Sequence, residues 1–224
     1  MAQGTPGIIF CVYADTGISA TIARMNSAKV TMAATMTQKP AAAEAGGNIF
    51  LVGMMGAGKT TIGKSLASYL DKTFFDSDRE IQKRTGVSIP VIFEIEGEAG
   101  FRKRETEMLQ ELVKFKNIVL ATGGGAVLSA ENRDLLRCNG TVVYLQATVD
   151  DLWRRTRHDR GRPLLQTPNP HAKLAELYAQ RNLLYCETAH IIVESGTQST
   201  RQLTHSLAQQ LAGAGLRIDG TKTD

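Results

Sequence analysis

The run Gly53-Met54-Met55-Gly56-Ala57-Gly58-Lys59-Thr60 follows directly on the apolar residues Ile49-Phe50-Leu51-Val52. This is the GxxxxGK[ST] pattern of a phosphate-binding loop with a buried strand in front of it. Glycines let backbone N–H groups close around an anion, and the N-terminus of a following helix adds its positive end at the same point. The pattern therefore commits the chain to an α/β domain that binds a nucleoside triphosphate. Nucleotide contacts are expected from Gly53, Met54, Met55, Gly56, Ala57, Gly58, Lys59, Thr60 and Thr61. Lys59 should reach the β- and γ-phosphates, and the Thr60 hydroxyl should ligate Mg²⁺. Behind the loop, Ile62, Leu66, Ala67 and Leu70 recur at helical spacing, with Lys64, Ser65, Ser68 and Asp71 between them. One stripe of that helix can pack on a sheet while the other stays in water.

At 224 residues, with 42% hydrophobic and 21% charged content, the chain can form one domain with a substantial core. Its formal charge is +4, but Arg154, Arg155, Arg157, Arg160 and Arg162 are concentrated in one stretch. A local cluster argues for a small anionic ligand and against nucleic acid. No apolar run approaches the roughly 20 residues of a membrane helix. Cys11, Cys138 and Cys186 are far apart and lack metal or redox spacing, which reads as reduced thiols of a cytoplasmic protein. His158, His171, His190 and His205 form no HxxxH pair, which argues against a metal site built from His or Cys.

Residues 1–47 are dominated by Ala, Thr, Gly and Met and read as a disordered extension. Three origins compete: a translated upstream stretch with Met25, Met32 or Met36 as the true start, a flexible tail, or an organelle targeting peptide poor in acids. Gly7 to Tyr13 lacks the basic n-region of a secretory signal. From Asn48 onward, candidate strands at Ile49 to Val52, Thr73 to Asp76, Ile118 to Ala121, Thr141 to Leu145 and Ile191 to Glu194 alternate with helical patterns. That alternation predicts a parallel sheet with helices on both faces, in a domain over 48–212 followed by a flexible tail over 213–224. Thr148 and Ser199 stand at capping-box distance from Asp151 and Gln202, Ser88 precedes Ile89-Pro90, and the last helix should end near Leu211.

Three further elements carry chemistry. Phe74-Phe75-Asp76-Ser77-Asp78 puts two acids at the C-terminal end of a strand, the edge where open α/β sheets bind ligands. One acid can hold Mg²⁺ through water while the other faces an acceptor hydroxyl; the alternative is a pair of helix N-caps. Thr122-Gly123-Gly124-Gly125 ends another apolar strand, where a ligand oxygen can approach backbone N–H groups, or where the chain simply turns. Arg102, Arg162 and Arg181 are each readable as surface charges, and Arg102 has Glu98 and Glu105 for ion pairing.

The ordered set resembles the shikimate kinases: the phosphate loop, Phe-x-Asp-x-Asp, Gly97-Glu98-Ala99-Gly100-Phe101-Arg102-x-x-Glu105, the triple glycine, Arg162-Pro163-Leu164-Leu165 and Arg181-Asn182. The resemblance runs from Asn48 to Leu211. It implies the nucleoside monophosphate kinase fold, a three-layer α/β P-loop kinase with a five-stranded parallel sheet in order 2-3-1-4-5 and a mobile lid. The implied reaction is ATP-dependent, Mg²⁺-assisted phosphorylation of the 3-hydroxyl of shikimate, a step toward chorismate and the aromatic amino acids, by a cytoplasmic monomer with no membrane or nucleic-acid partner. By the same resemblance, Asp78 would bind the acceptor hydroxyls and act as base, and Asp76 would sit in the Mg²⁺ water shell with Thr60 as ligand. Arg102 and Arg181 would clamp the carboxylate, and Gly124 and Gly125 would meet the acceptor through backbone N–H. Phe93 and Phe101 would wall its pocket, Arg155 would lie near the adenine, and Arg162 would descend from the lid beside Lys59 onto the phosphates. The alternatives are another small-metabolite kinase of this fold, such as a gluconate kinase, or a nucleotide-binding regulator without turnover. One departure is Leu183, where the family commonly has proline; its loss is expected to loosen the local turn.

Overall fold

Ile49, Phe50, Leu51 and Val52 are wholly buried, which puts β1 (Asn48–Val52) in the middle of a sheet. Successive side chains of a strand point to opposite faces, so burial of every residue means that both faces are covered. The same holds for β3 (Ile118–Ala121) and for all but the ends of β4 (Gly140–Gln146). The computed structural model describes residues 47–159, 161–196 and 198–213. The extension expected over 1–47 therefore lies outside the described residues except for Gly47, as do Met25, Met32, Met36, Cys11, Arg160 and the tail beyond Gly213.

β2 (Thr73–Asp76) and β5 (Ile191–Glu194) complete a five-stranded sheet in the order β2-β3-β1-β4-β5, with every pair parallel. Parallel neighbours require long crossovers. These are supplied by α1 (Lys59–Tyr69), α2 (Ser77–Thr85), α3 (Ile89–Leu112), α4 (Ala130–Asn139), α5 (Val149–Thr156) and α6 (Pro170–Thr188), and α7 (Thr200–Gly213) closes the chain. Ile62, Leu66 and Ala67 of α1 and Leu70 at its C-cap are buried as their spacing predicts, and Ser65 accepts a hydrogen bond from Thr204 of α7 at 3.0 Å. The chain leaves β1 toward β2 on one side and later reaches β4 on the other. The order reverses at β1, and in such sheets that is where ligands bind.

Thr148 and Ser199 accept the capping N–H groups of Asp151 (3.1 Å) and Gln202 (3.3 Å) as expected. Ser88 occupies the N-cap position of α3 with Pro90 in the first turn, but its side chain makes no capping bond. α7 runs two residues past the expected end at Leu211, beyond its last core contact. α6 passes unbroken through Leu183, so the expected loosening does not occur: leucine keeps the backbone N–H that proline would remove. α3 is two helical pieces joined at Gly97, whose φ of 69° and ψ of −178° interrupt the helix just before the segment carrying Phe101, Arg102 and Glu105.

Candidate active site

Val52 leads straight into the phosphate loop, where Gly53, Gly56 and Gly58 take φ values of 141°, 81° and 93°. These are left-handed conformations that L side chains rarely adopt. Gly58 is the N-cap of α1, so the helix begins at Lys59 and Thr60 with its free N–H groups facing the loop. Lys59 folds back to donate from Nζ to the carbonyls of Gly53 (2.7 Å) and Met54 (2.9 Å). Burial pulls its pKa down to about 8, against the pull of Asp78 and Asp76. Met54 and Ala57 point into the core, so only their backbone can face a nucleotide.

β2 ends in Asp76, which is an N-cap and also faces the phosphate loop. Its Oδ1 accepts the N–H of Arg79 at 3.3 Å as the N-cap of α2, and its Oδ2 accepts the Thr60 hydroxyl at 2.7 Å. Two hard oxygen donors meeting beside the phosphate loop fit a Mg²⁺ ion. Asp78, in the first turn of α2, has its carboxyl pushed up to about 6, mainly by burial and next by Asp76.

β3 ends at the triple-glycine turn, which is pinned from three sides. Thr122 donates to Leu51 O through both N–H and hydroxyl (3.1 Å each), Gly123 N–H donates to Ser77 Oγ (2.9 Å), and Gly124 O accepts from Tyr185 and Arg181. A Cβ on Gly123 would fall 2.1 Å from Glu105 Oε1 and 2.8 Å from Asp78 Oδ1, and one on Gly125 would fall 2.2 Å from Arg102 Nη1. The absence of side chains there is what lets two carboxylates and a guanidinium lie against the turn.

Arg102 donates to Glu105 Oε2 (3.0 Å) and Glu98 Oε1 (2.7 Å), so its ion pairs exist while it also lines the cleft. Glu105 is 0% exposed, and burial pushes its pKa up to about 7, opposed by Arg102 and reinforced by Asp78. The Phe93 and Phe101 rings lie 4.9 Å apart on the same wall, and the Arg102 guanidinium sits 5.3 Å from the Phe101 centroid. On the far side, Arg162 Nε donates to Asp159 (2.8 Å), while Arg155 donates to Gly56 O (3.2 Å) and to the carbonyls of Ser195 and Gly196. The arginine cluster does not converge: among the described residues only Arg155 and Arg162 of it line the cleft, and Arg154 pairs with Asp151 outside it.

These residues enclose one cleft of about 900 Å³. Met55, Gly56, Gly58, Lys59, Thr60, Thr61, Asp76, Arg155 and Arg162 line it together with Asp78, Phe93, Phe101, Arg102, Gly124, Gly125 and Arg181. Among the described residues, six buried side-chain atoms lack a hydrogen-bond partner, and four of them belong to this cleft: Asp78 Oδ1, Glu105 Oε1, Arg102 Nε and Arg181 Nε. Buried polar groups are normally satisfied, so two acceptors and two donors left open around one space fit a polar ligand that both donates and accepts. Sequence reasoning treated Glu105 only as an ion-pair partner and passed over Ser77, Asp159 and Tyr185. The available signals were spacing: Glu105 is three residues from Arg102, and Tyr185 is four from Arg181 on one helix.

A family model described as shikimate kinase matches residues 55–212. The chain is 72% identical over 165 residues to a shikimate kinase of Nitrosospira multiformis, covering 74% of this chain and 85% of that protein. It is 66% identical over 165 residues to one of Nitrosomonas europaea, covering 74% and 78% respectively. The solved shikimate kinase from Acinetobacter baumannii in complex with shikimate superimposes with a TM-score of 0.73 at 50% identity, covering 75% of this chain and 93% of that one.

Proposed function

The chain belongs to the shikimate kinase family, and from that premise we propose how its own residues carry the reaction. The enzyme transfers the γ-phosphoryl group of ATP to the 3-hydroxyl of shikimate, giving shikimate 3-phosphate and ADP. The observation that carries the site assignment is the set of four open polar atoms in the cleft. Arg102 and Arg181 supply planar N–H forks that match a carboxylate, and Asp78 Oδ1 is free to accept a hydroxyl proton. Phosphoryl transfer depends mostly on placement and on neutralising charge. Lys59 and Arg162 line the same cleft as Asp78, where their charges can offset that on the group in transit. As the acceptor oxygen bonds to phosphorus and ADP departs, the hydroxyl proton passes to Asp78, whose raised pKa makes it a better base than an exposed aspartate.

Thr60 and Asp76 are the residues that would hold Mg²⁺, Asp76 through water; the ion would offset phosphate charge. We further propose a cytoplasmic monomer: the phosphate loop, Asp78, Arg102 and Arg181 of the cleft all belong to this chain, and its cysteines lack metal or redox spacing. We place the catalytic domain at 48–212, from the first strand at Asn48 to the end of the family match at residue 212. An ADP-release assay across shikimate, gluconate and nucleoside monophosphates tests the reading. Shikimate alone should support turnover; comparable turnover with gluconate would transfer the assignment to the other small-metabolite kinases, and no turnover with any acceptor would favour a regulator.

A further inference from the structure

Tyr185 is completely buried in α6, one turn beyond Arg181. Its ring stacks on Tyr144 at 5.0 Å, and its hydroxyl donates to Gly124 O at 2.5 Å and lies 3.5 Å from Met54 Sδ behind the phosphate loop. Arg181 Nη1 donates to the same Gly124 carbonyl at 3.3 Å. One backbone oxygen of the triple-glycine turn is thus shared by a phenol and by a guanidinium assigned to the acceptor.

We propose that Tyr185 is a positioning residue for acceptor binding: by satisfying Gly124 O it fixes the turn against α6 and leaves Arg181 free to turn toward the acceptor carboxylate. The proposal rests on the shikimate reading. A carbonyl has two lone pairs, and a buried one left without a donor is costly. With the phenol in place, Arg181 can exchange its bond to Gly124 for the carboxylate and strand nothing. Without it, Arg181 Nη1 is the remaining side-chain donor to that oxygen, and each acceptor that binds must compete with the turn for that N–H. Burial holds the phenol well above its usual range, so it stays protonated and donating throughout neutral pH.

Tyr185→Phe deletes the hydroxyl and keeps the stacked ring. By calorimetry and steady-state kinetics, Kd and KM for shikimate should rise roughly three- to ten-fold, the size of one lost hydrogen bond. Affinity for a non-hydrolysable ATP analogue and kcat should hold. In an Arg181→Ala background the same substitution should add nothing, because there is no longer an arginine to release. Tyr144→Phe removes the other hydroxyl of the stack, which donates to Asn182 Oδ1 at 2.8 Å and not to Gly124, and should leave shikimate affinity unchanged. The assignment is overturned if Tyr185→Phe leaves shikimate affinity intact, costs the same factor without Arg181, or weakens the ATP analogue equally; an equal loss in Tyr144→Phe would make the effect one of packing. Wild-type protein that fails to bind shikimate would instead overturn the functional reading beneath it.

Discussion

Replacing Glu105 by glutamine removes a fully buried negative charge while keeping the shape of the side chain. In the wild type one oxygen of Glu105 accepts from Arg102 at 3.0 Å, and the other approaches Asp78 Oδ1 over Gly123 without a partner of its own. Its pKa is raised from 4.5 to about 7, first by burial. An acid whose folded pKa lies above its unfolded one contributes full stability while both states are protonated. As pH climbs past the unfolded value the unfolded chain releases its proton first, and stability falls until pH passes the folded pKa. Between pH 5 and pH 8 this group alone should cost the wild type about 2.5 kcal/mol, at about 1.4 kcal/mol per pH unit within the window. Glutamine does not titrate. Asp78, raised from 3.8 to about 6, titrates in both proteins, so only its coupling to Glu105 enters the difference. Urea unfolding followed by circular dichroism at several pH values measures that difference. The gain of Glu105→Gln over wild type should be larger at pH 8 than at pH 5 by about 2.5 kcal/mol. Parallel stability curves would refute the reasoning, since they would mean that Glu105 titrates alike in both states.

Arg102→Ala should raise the shikimate Kd by roughly ten- to a hundred-fold, the loss of a charge-assisted contact of about 1.5–3 kcal/mol, and calorimetry should find ATP-analogue affinity nearly unchanged. Asp78→Asn should keep shikimate binding but lower kcat by roughly 10²-fold or more, because the amide cannot take the proton. In the wild type, kcat/KM should rise with pH through about 6 as Asp78 ionises, and that limb should vanish in the variant. Lys59→Ala should cut kcat by orders of magnitude in the ADP-release assay, roughly 10²-fold or more, for want of its charge at the phosphoryl group. Deleting residues 1–45 should leave melting temperature and turnover unchanged; insoluble protein would place part of that segment in the domain.

Apolar runs bounded by turns made β2, β3 and β5 readable to the residue. β1 and β4 each extend further, and the extra residues answer one another or a neighbour: Asn48 lies opposite Gly140, and Gln146 opposite Glu194. A polar or glycine strand end carries no hydrophobic signal and becomes visible only through its partner strand. The phosphate loop and Asp78 were legible because their chemistry requires fixed spacing. Burial was not legible: Glu105 reads as an ordinary i,i+3 partner of Arg102 until the triple-glycine turn lies against it. Nor was the direction of a side chain, which is why the arginines of 154–162 read as one cluster although Arg154 faces away from the cleft and Arg155 and Arg162 face into it. The break at Gly97 needed a positive φ that a glycine permits but does not announce.

A crystal structure of the wild-type enzyme with shikimate and ADP tests the central claim most directly. The account predicts the shikimate carboxylate hydrogen-bonded to both Arg102 and Arg181, the 3-hydroxyl on Asp78 Oδ1, and the ADP phosphates held by the loop from Gly53 to Thr60. A carboxylate bound away from both arginines, or a ring with its 3-hydroxyl turned from Asp78, would contradict it.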